Sequence, residues 1–483
     1  MSRRSYALLG ITAVAAIVRF ATLDLQSFDH DEAVTAARVI HPNLFDTLSA
    51  VGDGERSPPL YYVLAWAWSK LFGTGEVGLR SLSAILGTLT VPVAYAAAAT
   101  LGSSRRVALF AAAFVALNPY LVWYSQEARS YALMVLLATW ALVYFARSLE
   151  RPEASSLAMW ALASALALSS HYFAAFLIVP QAVWLLLRNR SRRRAMLATA
   201  AIAAVGLALI PLAVSQEGEG RRNAFTETAL ASRVGETALN LVASEEPAPF
   251  AGNTEIDAVQ LVAGVGGALL LAAAVALIAT RASRDERDGA IVAGVVGAGA
   301  LALPLLLAVV GLDFINPRNL IGALVPLLIV LAIGFGGRGA GKAGLSAAAV
   351  TCSLFAGVLV AVAISAQMQR PDWRGAAEAL ASSGEARVLV VPRNGDDPLA
   401  YYLGARKPAG LGQKRVRARE IDVLSTNYRV EGPPGSFELV DQEGRAPFFL
   451  VWRYRAPRPQ RIRLQDLAGR RVLGERSAVL IKR

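Results

Sequence analysis

Apolar runs recur along this 483-residue chain at roughly 5–24, 80–101, 106–124, 130–148, 156–170, 172–188, 195–214, 257–280, 289–310, 318–336 and 343–366. A helix needs about 17–25 apolar residues to cross the hydrocarbon core of a bilayer. Lipid offers backbone N–H and C=O groups no water, so a spanning segment must satisfy them within itself. About eleven such runs predict an all-α polytopic membrane domain. Composition agrees, because only 17% of residues are charged and mean hydropathy is +0.45, against about 25% charge in an ordinary soluble domain. Arg3 and Arg4 precede the first run, and no small-residue cleavage pattern follows it, so the first segment is read as an uncleaved helix. Cys352 is the sole cysteine and lies in an apolar run, which rules out an internal disulfide.

The net charge of +12 is distributed as membrane topology requires. Basic clusters fall between apolar runs: Arg3-Arg4, Arg105-Arg106, RNRSRRR at 188–194, Arg281/Arg284/Arg287 and Arg338/Lys342. That is the positive-inside pattern of cytoplasmic loops. No basic stripe interleaved with aromatics is present, so a nucleic-acid partner is not expected. The apolar stretch PPLYYVLAWAWSKLF at 58–72 is too short to cross comfortably. Kept on the outer side, it leaves all the basic loops inside. Reading 154–188 as two short spans joined at Ser169-Ser170-His171 preserves the same pattern, whereas one long helix breaks it.

With the N-terminus inside, the outer loops are 25–79, 125–129, the 169–171 turn, 215–256, 311–317 and everything after 367. They contain DHDEA, GDGERSPPLYY, YSQEARSY, SSHY and FINPRN. The expected division is a transmembrane domain at 1–367, its outer loop 25–79 holding interfacial helices, and an extracytoplasmic α/β domain at 368–483. In the tail, PDWRGAAEALASS and DDPLAYYLG read as helices, while ARVLVVP, APFFLVWRYR and RRVLGERSAVLIKR read as strands. The length of the 215–256 loop suggests a mobile cover.

Several outer-loop residues invite chemistry. Asp29, Asp31 and Glu32 follow the first span and precede AVTAARVI, an interfacial amphipathic segment with Asp29 or Asp31 near its N-cap. A carboxylate there can act as a general base or hold a cation. Glu55 and Arg56 stand before Pro-Pro, which accounts for a helix start near Tyr61, and Arg80 enters the next span. Gln126, Glu127, Arg129 and Tyr131 crowd between two apolar runs. On a helix Glu127 and Tyr131 would share one face, and Gln126, Arg129 and Ser130 another. His171 and Arg318 complete the set. Charged groups this close to lipid pair with one another or serve function. Together they suit a substrate with a lipid tail and an anionic headgroup.

The order Asp-Glu after the first span, Pro-Pro-Leu-Tyr, Arg-Ser-x-Ser-Ala, then Tyr-Ser-Gln-Glu-Ala-Arg-x-Tyr resembles the GT-C membrane glycosyltransferases. It is most similar to bacterial relatives of the protein O-mannosyltransferases and the lipid A aminoarabinose transferases, the glycosyltransferase family 39-like group. The resemblance covers roughly residues 5–340, is strongest over 5–190, and includes the DWRGAAEAL opening of the tail. It implies a GT-C-like fold and sugar transfer from a polyprenyl-phosphate-linked donor to an acceptor on the outer face of the plasma membrane. The acceptor would be a protein, a lipid or a cell-wall glycan. By the same resemblance Asp31 is the base with Glu32 beside it, while Arg80 and Arg129 match the family's arginines. Relatives often carry His before Pro-Pro-Leu; here it is Ser57, and no role is assigned to it.

The chemistry is consistent with these residue types. A polyprenyl-phosphate sugar already carries a good leaving group, since a phosphate monoester has a second pKa of about 6. One base and several cations suffice, unlike the two carboxylates of glycosidases. Arg80, Arg129, Arg318 and His171 are the expected phosphate-binding set, and Glu55, Arg56, Gln126, Glu127, Tyr131 and Tyr61 the expected substrate contacts. Arginine forks can do what a metal does elsewhere, so no cofactor is required; a divalent metal is compatible but not implied. Two alternatives share part of this logic. A flippase of lipid-linked saccharides would show paired repeats and mid-membrane polar residues, and neither is evident. A polymerase or ligase using longer lipid-linked glycans would share the transfer chemistry.

Overall fold

A computed structural model describes residues 3–482, apart from 103, 152, 189–191, 217–228, 244–253, 382–386, 409–413, 426–432, 434, 446–448 and 468–476. Most of the loop expected to act as a cover therefore lies outside the described residues. The chain forms two compact units. One takes in the residues up to Leu23 together with 39–246 and 254–362, and the other joins 24–38 to 363–483.

The first unit is helical. Each apolar run carries a helix: Arg3–Phe20, Glu76–Gly102, Arg105–Leu117 with Pro119–Ser125, Tyr131–Glu150, Ala154–Ser170, Ala175–Arg188, Arg192–Ser215, Thr254–Arg281, Arg284–Val309, Leu324–Gly336 and Gly341–Ile364. Among the described residues seven helices are long and apolar enough to cross a membrane, or eight if the pair bent by 57° between Leu117 and Pro119 is one span. The apolar helices Tyr6–Phe20, Ala154–Ser170 and Tyr172–Arg188 are shorter. The 154–188 region is broken at His171, as its charge pattern requires. Residues 60–72 form a helix of 13 residues, rising about 20 Å and so falling short of a 30 Å core.

The bend at Asn118–Pro119 has a local cause. Proline has no N–H, so the carbonyl of Val115 loses its intrahelical donor. Inside lipid such a group must find another partner. Arg19, 1% exposed on the first helix, supplies it: Nη2 donates to Val115 O at 3.2 Å and Nη1 to Ala116 O at 2.9 Å. Its Nε donates to Ser125 Oγ at 3.2 Å. One guanidinium thus closes the break and fixes the end of the short helix beyond it. Gly87 makes room, because a Cβ there would lie 2.0 Å from Ser125 Oγ and 3.0 Å from Arg19 Nε.

The second unit is built on a five-stranded sheet of β1 (Arg387–Pro392), β2 (Arg415–Ser425), β3 (Glu438–Arg445), β4 (Phe449–Arg463) and β5 (Ser477–Lys482). The order is β3-β4-β2-β1-β5, with β1 and β2 parallel and the remaining pairs antiparallel. Helices Trp373–Leu380 and Asp396–Leu403 bury Trp373, Leu380 and Leu399 with Leu389, Val391, Leu424, Phe449 and Val451 of the strands. A second apolar layer with Val388, Val390, Ile421, Val423, Tyr454 and Ile462 lies on the other face of the sheet. The expected helices and the strands β1, β4 and β5 are present. Strands β2 and β3 had no counterpart in the sequence reading.

Candidate functional site

In the helical unit, residues 126–130 are a turn between helices Pro119–Ser125 and Tyr131–Glu150. The helical face-sharing expected for Gln126, Glu127, Arg129 and Ser130 therefore does not apply. The backbone folds back tightly instead, with Arg129 N–H donating to Glu127 O at 2.8 Å. Gln126 anchors this turn to the first helix, its Nε2 donating to Arg19 O at 2.9 Å and to Thr22 Oγ1 at 2.6 Å. Gln126 is thus a structural brace.

The turn delivers Arg129 to Glu55. Arg129 Nη1 lies 2.8 Å from Glu55 Oε1 and 2.7 Å from Oε2, and the side chains are 9% and 2% exposed. The guanidinium also sits 6.0 Å from the ring centroid of Tyr62. Tyr62 thus meets the charged pair. Tyr61 shares a hydrogen bond of 3.2 Å with Ser83 Oγ and packs edge-on against Tyr62. Arg56, the neighbour of Glu55, is exposed. Pro59 caps the helix that carries both tyrosines, as the Pro-Pro pattern predicts.

Tyr131 connects this region to His171. Their rings are 5.1 Å apart, and Tyr131 also packs edge-on against Tyr124 at 4.7 Å. His171, 4% exposed, accepts from Phe173 N–H through Nδ1 at 3.3 Å. That contact requires Nδ1 to be unprotonated and leaves Nε2 to carry the proton of a neutral ring. Arg80 is 1% exposed and donates through Nη1 to Leu23 O at 3.0 Å. Arg318 is half-buried in the turn Pro317–Ala323, and Glu127 is buried.

The acidic segment belongs to the second unit. Asp29 is the N-cap of a short helix, His30–Val34, whose Glu32 Oε2 accepts from Asp29 N–H at 3.2 Å. A capping box thus explains why acids cluster at the start of this helix. Glu32 is fully buried and faces Arg370 Nη1 at 3.7 Å. The Arg-Pro-Asp-Trp-Arg segment holds the acidic segment along its length. Arg370 N–H donates to Gln26 Oε1 at 2.8 Å, Trp373 N–H to Ser27 Oγ at 3.0 Å, and Ser27 Oγ to Pro371 O at 2.9 Å. Burial pushes the Asp29 carboxyl above its ordinary range, with the positive charge of Arg370 opposing it. Asp31, half-buried, stands in the first turn.

His30, Asp396 and Asp397 have ligand atoms within 4.8 Å of one another and could hold a metal ion. The same carboxylates already carry Lys407 Nζ at 2.5 and 2.7 Å, and Arg38 on Asp397. Two cations thus offset both negative charges. Sequence reasoning missed Tyr62, Arg370 and Arg19. An arginine within an apolar run was the visible signal for Arg19; nothing in a single sequence marked the pairing of Arg370 with Glu32 across more than three hundred residues.

Comparison with known proteins bears on these features. Residues 56–215 match the family described as dolichyl-phosphate-mannose-protein mannosyltransferase. This span contains the Pro-Pro-Leu-Tyr helix, Arg80, the Tyr-Ser-Gln-Glu-Ala-Arg turn and His171. No curated protein matches the chain. Among solved structures, ArnT from Cupriavidus metallidurans bound to undecaprenyl phosphate is similar at a TM-score of 0.59 and 14% identity, covering 94% of this chain and 98% of that one. The apo state of the same ArnT gives a TM-score of 0.57 at 13% identity, with the same coverage. The chain has the apolar helices of a multi-pass membrane protein and the GT-C fold seen in ArnT, and over residues 56–215 it matches the protein mannosyltransferase family.

Proposed function

We propose that this protein transfers a sugar from a polyprenyl-phosphate-linked donor to an acceptor hydroxyl or amine on the outer face of the plasma membrane, inverting the anomeric centre. The observation that carries this reading is the 56–215 match to a mannosyltransferase family, which includes Tyr62 and Arg129 of the buried cluster and begins directly after its Glu55. The fold shared with an ArnT that binds undecaprenyl phosphate supports a lipid-phosphate donor. The positive-inside distribution of basic loops supports an outer active site.

In this reading Asp31 takes the proton of the acceptor, whose oxygen, or nitrogen in an amine, forms the new bond to the anomeric carbon. The bond from that carbon to the phosphate oxygen breaks, and its electron pair leaves with the phosphate. Arg80, Arg129, Arg318 and His171 stabilise the charge that develops there. Glu32 stays paired with Arg370, while Glu55 and Tyr62 hold the Arg129 fork. No general acid is needed, because phosphate is a competent leaving group near neutral pH. A hexose and a pentose are both compatible with this chemistry, as are protein, lipid and cell-wall acceptors.

Purified protein in lipid nanodiscs, offered a panel of polyprenyl-phosphate sugars and membrane acceptors, provides the test. Release of polyprenyl phosphate coupled to glycosylated acceptor is expected with one donor class. Absence of both transfer and donor binding across the panel removes the reading; donor movement between leaflets without transfer would favour a flippase.

A further inference from the structure

We propose that the second unit carries a docking surface for anionic phospholipid headgroups, formed by Arg415, Arg417, Arg461 and Arg463 on strands β2 and β4. Antiparallel register sets Arg415 directly opposite Arg463 and Arg417 directly opposite Arg461. All four are exposed, while Val416 between the first two packs against the apolar core and Ile462 between the last two is buried in it. Side chains alternate along a strand, so the four guanidinium groups share one face. Like charges directly opposite one another on a sheet are unfavourable, and here two such pairs stand next to each other.

The contrast with the adjoining part of the same strands is informative. There Arg455 pairs with Glu420 at 2.7 Å, and Arg453 lies 3.3 Å from both Asp422 and Asp441. At the basic end Arg463 meets Asp466 at 3.0 Å. Among the described residues no carboxylate pairs with Arg415, Arg417 or Arg461. Among the described residues, Asp466 is thus the one carboxylate that offsets this group of four arginines.

The side-chain type points to phosphate. All four are arginine, whose planar fork takes two phosphate oxygens at once, whereas lysine offers a point charge. Connectivity points to lipid as the source. Eight residues, 365–372, join the helix ending at Ile364 to the one starting at Trp373, a tether of at most roughly 28 Å. Headgroups are therefore the phosphates held at highest effective concentration. An arginine next to an anionic leaflet contributes roughly a five-fold gain in association, and the effect is screened by salt.

The experiment places the full-length protein in nanodiscs of phosphatidylcholine, with or without phosphatidylglycerol, and labels arginines with phenylglyoxal. Site-resolved mass spectrometry reads the rates relative to Arg455, which Glu420 holds. Phosphatidylglycerol is expected to slow labelling of Arg415, Arg417, Arg461 and Arg463 about five-fold or more, with the protection lost in high salt. In Arg417→Glu/Arg461→Glu, Arg415 and Arg463 should label at the phosphatidylcholine rate. Equal wild-type rates in the two lipids overturn the proposal, as does protection that survives in the double variant. Protection by soluble polyphosphate in phosphatidylcholine discs, with none from phosphatidylglycerol, also overturns it and assigns the face to a soluble phosphate polymer.

Discussion

Replacing Glu55 by Gln would leave the Arg129 guanidinium in place with its counter-charge gone. Arg129 is 9% and Glu55 2% exposed, and one nitrogen bridges both carboxylate oxygens at 2.8 and 2.7 Å. Surface ion pairs contribute about 0–1 kcal/mol. Removing one member of a buried pair costs about 3–5 kcal/mol, because the remaining charge stays desolvated. Glu55→Gln should therefore lower stability by about 3 kcal/mol or more, and Arg129→Met by a similar amount. The double variant removes both charges, so its loss should fall well below the sum of the two. A double-mutant cycle from reversible denaturant unfolding in mixed micelles measures this directly. A coupling of about 2–3 kcal/mol is predicted. A coupling under about 0.5 kcal/mol, the value of an exposed pair, would refute the argument that this pair is desolvated and fixes the turn at 126–130.

Further outcomes are expected. Arg19→Lys cannot reach Val115 O, Ala116 O and Ser125 Oγ together, so each carbonyl left without a donor should cost about 1–3 kcal/mol; unfolding midpoints equal to wild type would contradict the clamp. For Asp29 the carboxyl is raised in the folded state, so the folded chain binds its proton more tightly, and stability falls as pH rises from about 4 through the folded value. Asp29→Asn should flatten that limb of the pH–stability curve, and an unchanged limb would count against it. Asp313 is the opposite case: its hydrogen bond and charge contact with Arg233 hold its carboxyl low. That stability is present above the unfolded value near 4 and is lost as pH falls through the folded one. Asp313→Asn should therefore destabilise at neutral pH, with the difference shrinking in acid.

Hydrophobic runs and basic loops made most of the helical unit legible, since span length and charge placement follow from bilayer physics. The break at His171 was readable from charge parity alone. The turn at 126–130 was not: Glu127 and Tyr131 stand at helical spacing, and the override comes from Gln126 and Ser125 being held by Arg19 and the first helix. Tyr61 and Tyr62 are adjacent in sequence, and only the direction of their helix decides which ring meets Arg129. Strands β2 and β3 lacked a clean apolar alternation: in β2 the carboxylates Glu420 and Asp422 are buried among the apolar residues, residues 438–444 of β3 are exposed on both faces, and irregular register interrupts both strands. The partnership of Gln26, Ser27 and Glu32 with Arg370–Trp373 depends on contacts between segments far apart in the chain, which carry no local signal.

The proposed role of Asp31 as the base is the central claim. Donor turnover and donor affinity, measured side by side for wild type and Asp31→Asn in nanodiscs, test it most directly. Normal binding of the polyprenyl-phosphate sugar with transfer reduced by about 10²–10⁴ is the predicted result. Undiminished transfer by Asp31→Asn would contradict the assignment and leave the acidic segment with its capping and pairing roles alone.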